Sequence, residues 1–277
     1  MDSTPIGKAK LFLESLKSSL LTSHDEWLRL AYSHHYFRHF VCELRYILHT
    51  AGTSVIRRVP SKHDIVMGEK GGICGADYNL TGIYQNFSSA RSERLIGIVQ
   101  IIETLQSFHG VNYLTDLHGL HNKKALLVGS RGEGEIFLLH SKGYKMENIK
   151  SVDLNSYSPL IDCGDMHELP YGNNSFDLVF LSHTLAYSTN KHQVASELLR
   201  VTTSFGIIAI ADTYYPEDES TSAQNIRNLF PSRLEEIFCW QDNIALANQK
   251  SVTTYCVLRN IPCSDDLDTN SKCYEEF

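Results

Sequence analysis

The apolar positions of this chain follow two spacings, that of strands and that of helices, and the two alternate. Ala125-Leu126-Leu127-Val128 is an unbroken apolar run that enters Gly129-Ser130-Arg131-Gly132-Glu133-Gly134. A short continuous apolar run closed by glycines predicts a strand covered on both faces and a tight turn into a helix. Residues 133–142 carry Ile136, Phe137 and Leu139 at helical spacing. Residues 149–153 predict a second strand ending on Asp153, and Phe176-Asp177-Leu178-Val179-Phe180 predicts a third. A helix over 191–201 and a strand over 206–210 follow. Next come a helix over 223–238 and two strands over 240–247 and 251–258. The last is β-branched and aromatic, with Val252, Thr253, Thr254, Tyr255 and Val257. Strands alternating with helices predict an α/β fold with a mostly parallel sheet.

The first 120 residues read differently. Residues 6–21 form an amphipathic pattern, with Leu11, Leu13, Leu16, Leu20 and Leu21 apolar. Ser23 or Asp25 can cap a second helix that runs to about residue 49 and carries Trp27, Leu28, Tyr32, Tyr36, Phe37, Phe40, Val41, Leu44, Ile47 and Leu48. Each such side chain gains roughly 1.5–3 kcal/mol on burial. This segment is therefore expected to pack on the main domain or on a second subunit, which would make a homodimer through the N-terminal helices. Residues 50–75 are glycine-rich and irregular, and 77–87 are polar and aromatic without a clear period. A helix over 91–108 then presents Leu95, Ile98, Val99, Ile101, Ile102 and Leu105 to one side. The expected organisation is a helical lid region over 1–120, a main domain over 121–260 and a mobile polar tail over 261–277.

Composition narrows the partners. A net charge of −7 argues against a nucleic-acid binder, which needs a basic surface. The seven cysteines are scattered, odd in number and without a CxxC pair, so they read as reduced thiols in a cytoplasmic protein. No long apolar run suggests a membrane span or signal peptide. His35 and His39 share a helical face, but no acid accompanies them in a metal-binding pattern, so no metal site is expected.

The middle of the chain carries motifs in order: Gly164-Asp165-Met166, then Leu169-Pro170, Ser175-Phe176-Asp177-Leu178-Val179, Ser182-His183, and Glu197-Leu198-Leu199-Arg200-Val201 before a strand. Over roughly 125–212 this series resembles the class I S-adenosylmethionine-dependent methyltransferases, most closely the type-11-like group. Two turns depart from the common pattern. Arg131 stands where a glycine is usual, as in a subgroup with a G-[AS]-R turn, and Thr202-Thr203-Ser204-Phe205-Gly206 replaces L-K-P-G-G. The resemblance implies a Rossmann-like seven-stranded sheet, completed by the last two strands, with S-adenosylmethionine at its carboxyl edge. It implies that Gly129, Ser130 and Arg131 hold the amino acid part of the cofactor. Asp153 and Leu154 would flank the ribose, and Gly164, Asp165 and Met166 the adenine. Ser182 and His183 would face the methyl group. Tyr78, Tyr84 and Arg91 are implied in the acceptor pocket, joined by Tyr187, four residues past His183.

The function implied is in-line transfer of a methyl group to an oxygen or nitrogen of a small-molecule acceptor. His183 is the candidate base if that acceptor is a hydroxyl, because an imidazole titrates near neutral pH; His140 and His167 are weaker candidates. The altered turns motivate an alternative, a catalytically inactive binding or scaffold subunit. A nicotinamide-dependent oxidoreductase is disfavoured because G-x-G-x-x-G is missing.

Overall fold

In a computed structural model, the structure describes residues 24–50, 57–58, 65–67, 72–74, 97–101, 122–130, 132–214, 221–230, 234–246 and 249–261. The helix expected over 6–21, the tail from 262, and the candidate residues Tyr78, Tyr84, Arg91 and Arg131 lie outside them.

The expected second helix is two: α1 (His24–Ser33) and α2 (His35–Thr50), broken at His34. Three short strands follow, β1 (Arg57–Arg58), β2 (Ile65–Met67) and β3 (Gly72–Cys74), in the irregular region. The main domain then alternates as its pattern predicts. It runs β4 (Ala125–Val128), α3 (Gly134–Ser141), β5 (Ile149–Asp153), β6 (Asn155–Ser156), β7 (Asp162–Cys163), β8 (Phe176–Ser182), α4 (Lys191–Val201) and β9 (Thr202–Tyr214). It closes with α5 (Ala223–Leu229), β10 (Leu234–Leu246) and β11 (Gln249–Asn260).

Seven strands form one sheet in the order β10-β11-β9-β8-β4-β5-β7. The pairs from β9 through β7 are parallel, while β11 lies antiparallel to both β9 and β10. Side-chain alternation splits β4 between two cores. Ala125 and Leu127 join Ile98, Ile136, Leu139, Phe180 and Val257 on one face. Leu126 and Val128 join Val179, Leu181, Leu198, Ile208 and Cys256 on the other. Continuous apolar strands are thus apolar because both faces are covered.

Several expectations are corrected. The helix over 223–238 stops at Leu229, and residues from Leu234 onward belong to a strand. Phe230 precedes Pro231 and is already extended, at φ −105° and ψ 149°, as the proline ring demands of its neighbour. The strand expected over 206–210 runs from Thr202 to Tyr214, with an irregularity where Phe205 takes φ 61° just before Gly206. The thiols are not all reduced: Cys239 and Cys256 face each other directly across β10 and β11, with Cα atoms 4.2 Å apart, and are joined as a disulfide. Sequence spacing alone hides such a pair, because the register of the two strands sets it. Finally, the apolar residues of α1 and α2 are only half used. Tyr32 stacks on Phe137 of α3, with ring centroids 4.4 Å apart. Leu30, Tyr36, Phe40, Leu44, Ile47 and Leu48 stay exposed.

Candidate active site

The sheet reverses its winding around β4, with β5 on one side and β8 on the other. Ligands of open parallel sheets bind beyond the carboxyl ends of the strands at such a point. Gly129 follows β4, Asp153 ends β5 and Ser182 ends β8, so the topology delivers all three to this edge. Gly129 has φ 82°, a conformation suited to glycine, and its N–H donates to the Val152 carbonyl at 2.8 Å. A Cβ there would lie 2.2 Å from the Thr184 hydroxyl. The missing side chain therefore makes room for Thr184, a second reason for the glycine beyond the backbone approach expected from the turn.

Two acids follow the turn, Glu133 and Glu135, and the first turn of a helix favours negative charge. Glu135 sits there, and accepts from the Ser130 hydroxyl at 2.6 Å. Glu133 instead stands just before α3, fully buried and with no side-chain bond to the helix N-terminus. Its carboxylate takes a two-pronged ion pair from Arg45 of α2, with Nη2 to Oε1 at 2.9 Å, and a hydrogen bond from Ser158. Burial, followed by the Glu133 charge, raises the neighbouring Tyr157 phenol, so it stays protonated. Arg45 also lies over the Phe137 ring, 5.8 Å from its centroid. The N-terminal helices are thus anchored to the glycine turn by charge and by aromatic packing.

The second acidic position is also organised. Asp153 Oδ1 accepts from the Asn155 N–H at 3.0 Å, and Leu154 lies between them. The Gly164 N–H reaches back to the Asp153 carbonyl at 3.0 Å. A Cβ on Gly164 would meet Val152 at 2.8 Å and Pro170 at 2.9 Å. Asp165 is 8% exposed; its Oδ1 accepts from the His167 N–H at 2.9 Å and meets His167 Nδ1 at 2.6 Å. His167 Nε2 meets Ser188 Oγ at 2.7 Å. Met166, expected against a ligand ring, packs into the core with Leu126, Val152 and Leu169. Beneath it, Arg200 bonds Glu197, the Leu169 and Tyr171 carbonyls and Asn173. Burial acts to raise the Glu197 carboxyl, but Arg200 and the Leu169 N–H hold it below its usual value.

The end of β8 carries the reactive candidates. Ser182 Oγ is buried with no hydrogen-bond partner among the described residues. His183 adopts φ 51°, which costs a non-glycine residue on the order of 1–2 kcal/mol. Its N–H donates to the Ala211 carbonyl at 2.6 Å, and its Nδ1 lies 3.2 Å from Thr213 Oγ1. Thr213 Oγ1 is 2.9 Å from Thr253 Oγ1. Asp212, which the sequence reading left without a role, is buried there. Its carboxylate accepts from the Ala186 N–H at 2.8 Å and from the Thr213 N–H at 2.8 Å. It pins the 3-10 turn Leu185–Tyr187 against β9, and Tyr187 is held by its N–H to the Thr184 carbonyl at 3.1 Å. The signal for Asp212 was its place after the apolar run 207–211, the position Asp153 occupies on β5. His140 is turned away from this edge, with Nδ1 on the Tyr144 carbonyl at 2.9 Å.

Among the described residues, no group of three or more His, Cys, Asp or Glu could hold a metal ion, and no helix is long and apolar enough to cross a membrane.

Residues 141–210 match the family model of the methyltransferase domain. No curated protein matches the chain significantly in sequence. Solved structures include the N-methyltransferase NodS from Bradyrhizobium japonicum WM9 in complex with S-adenosyl-L-homocysteine. It is 14% identical, with 58% of this chain and 97% of that one covered at a TM-score of 0.40. A SAM-dependent methyltransferase from Methanosarcina mazei is 14% identical over 53% and 97% of the two chains at 0.40. The YcgJ protein from Bacillus subtilis is 13% identical over 60% and 98% at 0.43. The sheet order and the family match define a class I Rossmann-like methyltransferase domain. The match over residues 141–210 supports a SAM-dependent methyltransferase, with S-adenosylmethionine as its cofactor. The donor set at the carboxyl edge suits the group: carboxylates at the ends of β5 and beyond β7, and an orphaned buried hydroxyl on Ser182.

Proposed function

We propose that the protein transfers a methyl group from S-adenosylmethionine to an oxygen or nitrogen of a small-molecule acceptor. The observation that carries the reading is His183, held in a left-handed conformation at the end of β8 beside the orphaned Ser182 hydroxyl. When bound, the cofactor supplies an electrophilic methyl carbon on a sulfonium. Gly129, Ser130 and Arg131 hold its amino acid portion, the guanidinium pairing with the carboxylate. Asp153, with Leu154 beside it, accepts from the ribose hydroxyls. Gly164 and Asp165 form the adenine side. Ser182 orients, and His183 takes the proton of a hydroxyl acceptor through its imidazole. Tyr187 lines the acceptor side, with Tyr78, Tyr84 and Arg91 contributed by the lid region. Most of the rate comes from holding the acceptor atom in line with the breaking bond.

The acidic balance of the chain supports a small acceptor over a nucleic acid. The exposed stripe Tyr36, Phe40, Leu44, Ile47 and Leu48 on α2 supports a second copy as the protein partner, through these helices. The test is to incubate the protein with methyl-13C cofactor and panels of small hydroxyl, amine and carboxylate compounds, reading new methyl signals by NMR. New O–CH3 or N–CH3 products are expected. Transfer confined to protein or nucleic acid would overturn the reading.

A further inference from the structure

Two consecutive residues of α2 reach two different turns at the carboxyl edge of the sheet. Arg45 donates through Nε and Nη2 to the Glu133 carboxylate in the turn after β4. Tyr46 packs edge-on against Tyr157 in the segment after β5, with ring centroids 5.1 Å apart. The two turns also touch each other. The Ser158 hydroxyl donates to the same Glu133 carboxylate, and a Cβ on Gly132 would lie 3.6 Å from the Tyr157 hydroxyl. The segment after β5 is in turn tied to Ser158, whose carbonyl accepts from the Ser156 hydroxyl at 2.8 Å and whose hydroxyl accepts from the Leu160 N–H at 3.0 Å. One buried carboxylate therefore joins a helix of the N-terminal region to both turns. The ion pair has a single direction, because a guanidinium only donates and the carboxylate paired with it only accepts.

We propose that Arg45 is a positioning residue for the cofactor: through Glu133 and Ser158 it sets the spacing between the turn that carries Gly129 and Ser130 and the segment that follows Asp153. The inference rests on the reading that puts the amino acid part of S-adenosylmethionine on the first turn and its ribose on Asp153. A ligand held at both turns depends on their separation as well as on the contacts each makes. Such sites tolerate displacements of only about 0.5 Å. Without Arg45, the Glu133 carboxylate is left uncompensated in a closed space, and carrying it to water carries residues 132–134 with it. The binding arrangement of the two turns then becomes one of several, and the apparent dissociation constant rises by the inverse of its population. Loss of global stability alone has no such effect, since a less stable chain that is still folded keeps its binding arrangement.

The experiment is calorimetric titration of the full chain with S-adenosylhomocysteine, well below the melting temperature of every variant. Arg45→Ala is expected to bind at least about tenfold more weakly than the wild type, as when the binding arrangement falls to about a tenth of the population. Arg45→Lys should fall between them, since an ammonium keeps the charge and loses the two-pronged fork. Ile226→Val, which trims a fully buried side chain of α5 outside both turns, should melt lower and bind as the wild type does. Wild-type affinity in Arg45→Ala overturns the proposal and leaves the ion pair as an anchor of the helices alone. An equal loss of affinity in Ile226→Val also overturns it, because binding would then merely follow stability. Should Arg45→Ala not fold, Arg45→Lys decides: weaker binding supports the proposal and equal affinity overturns it. Asp153→Ala tells the two readings apart. Wild-type affinity there removes the ribose contact and the proposal with it, whereas a loss there beside an unchanged Arg45→Ala removes Arg45 alone.

Discussion

Replacing Arg45 with alanine tests the claim that the N-terminal helices are anchored to the glycine turn through Glu133. The Glu133 side chain is fully buried, whereas Arg45 is 32% exposed. Removing one partner of a fully buried pair costs roughly 3–5 kcal/mol, because the other charge is stranded. Here one end reaches solvent, so water can follow the guanidinium out, and Ser158 still bonds the carboxylate. The contact of Arg45 with the Phe137 face adds about 0.5–1 kcal/mol at such a site. We expect a loss of about 2–3 kcal/mol, read by urea denaturation followed by far-UV circular dichroism. Glu133→Gln should cost less, near 1 kcal/mol, since an amide is cheaper to leave half-paired than a charge. In the double variant Arg45→Ala/Glu133→Gln the two losses should not add, with a coupling of at least about 1 kcal/mol. Additive losses, or an Arg45→Ala cost within about 0.5 kcal/mol of zero, would refute a buried charge anchor.

Three further outcomes are expected. Gly129→Ala must adopt φ 82° and push its Cβ onto Thr184, so it should destabilise by about 2–4 kcal/mol in thermal melts; a change under about 1 kcal/mol would mean the turn relaxes freely. Asp153→Ala should weaken S-adenosylhomocysteine binding at least about tenfold by calorimetry, the loss of a charge-assisted hydrogen bond, and equal affinity would remove it from the site. Arg200→Ala should lose a pH-dependent share of stability. The Glu197 carboxyl is held below its usual value when folded, so its pairing stabilises fully above the unfolded pKa of roughly 4.3 and is lost as pH falls through the folded value. The gap between wild type and variant should therefore shrink on acidification from pH 6 to pH 3, and a constant gap would exclude the pair as its source.

The sheet was legible because its strands obey a local rule. Ala125–Val128 and Phe176–Ser182 are apolar on both faces, and α4 falls at the predicted residues 191–201, opening on the Asn190 cap. What escaped depends on register or on distant partners. The helix over 223–238 kept its apolar spacing past Leu229, yet Pro231 makes Phe230 extended and the same residues pair as β10. The disulfide Cys239–Cys256 follows from two strands meeting at one register, which no cysteine spacing encodes. Glu133 read as a dipole-favouring acid because nothing nearby in sequence announces Arg45, 88 residues away. At the site, the strand-end carboxylate of Asp153 and the Ser182-His183 pair were readable by position. Thr213 and Thr253 were not, since polar residues on a β-branched strand read first as propensity.

The arrangement of polar groups around residues 182–188 bears on why this edge suits positional catalysis. His167, itself held by Asp165, grips Ser188 from the β7 side. Asp212 grips Ala186 from the β9 side, and Thr213 with Thr253 holds the His183 ring. One seven-residue stretch is therefore fixed from both flanks of the sheet by buried and partly buried bonds, while Thr184 packs against Gly129. A side chain held this way keeps its place when a substrate arrives, so little free energy is spent on ordering it in the transition state. The strained backbone of His183 fits the same logic. A left-handed residue persists only where its surroundings over-determine it, and here the N–H bond to Ala211 and the ring contact with Thr213 help do so. In the proposed function, acceptor choice falls to the N-terminal region, of which β2 packs against the 3-10 turn that ends on Tyr187. On that proposal the main domain keeps one rigid methyl-transfer edge while the first 120 residues select what is brought to it.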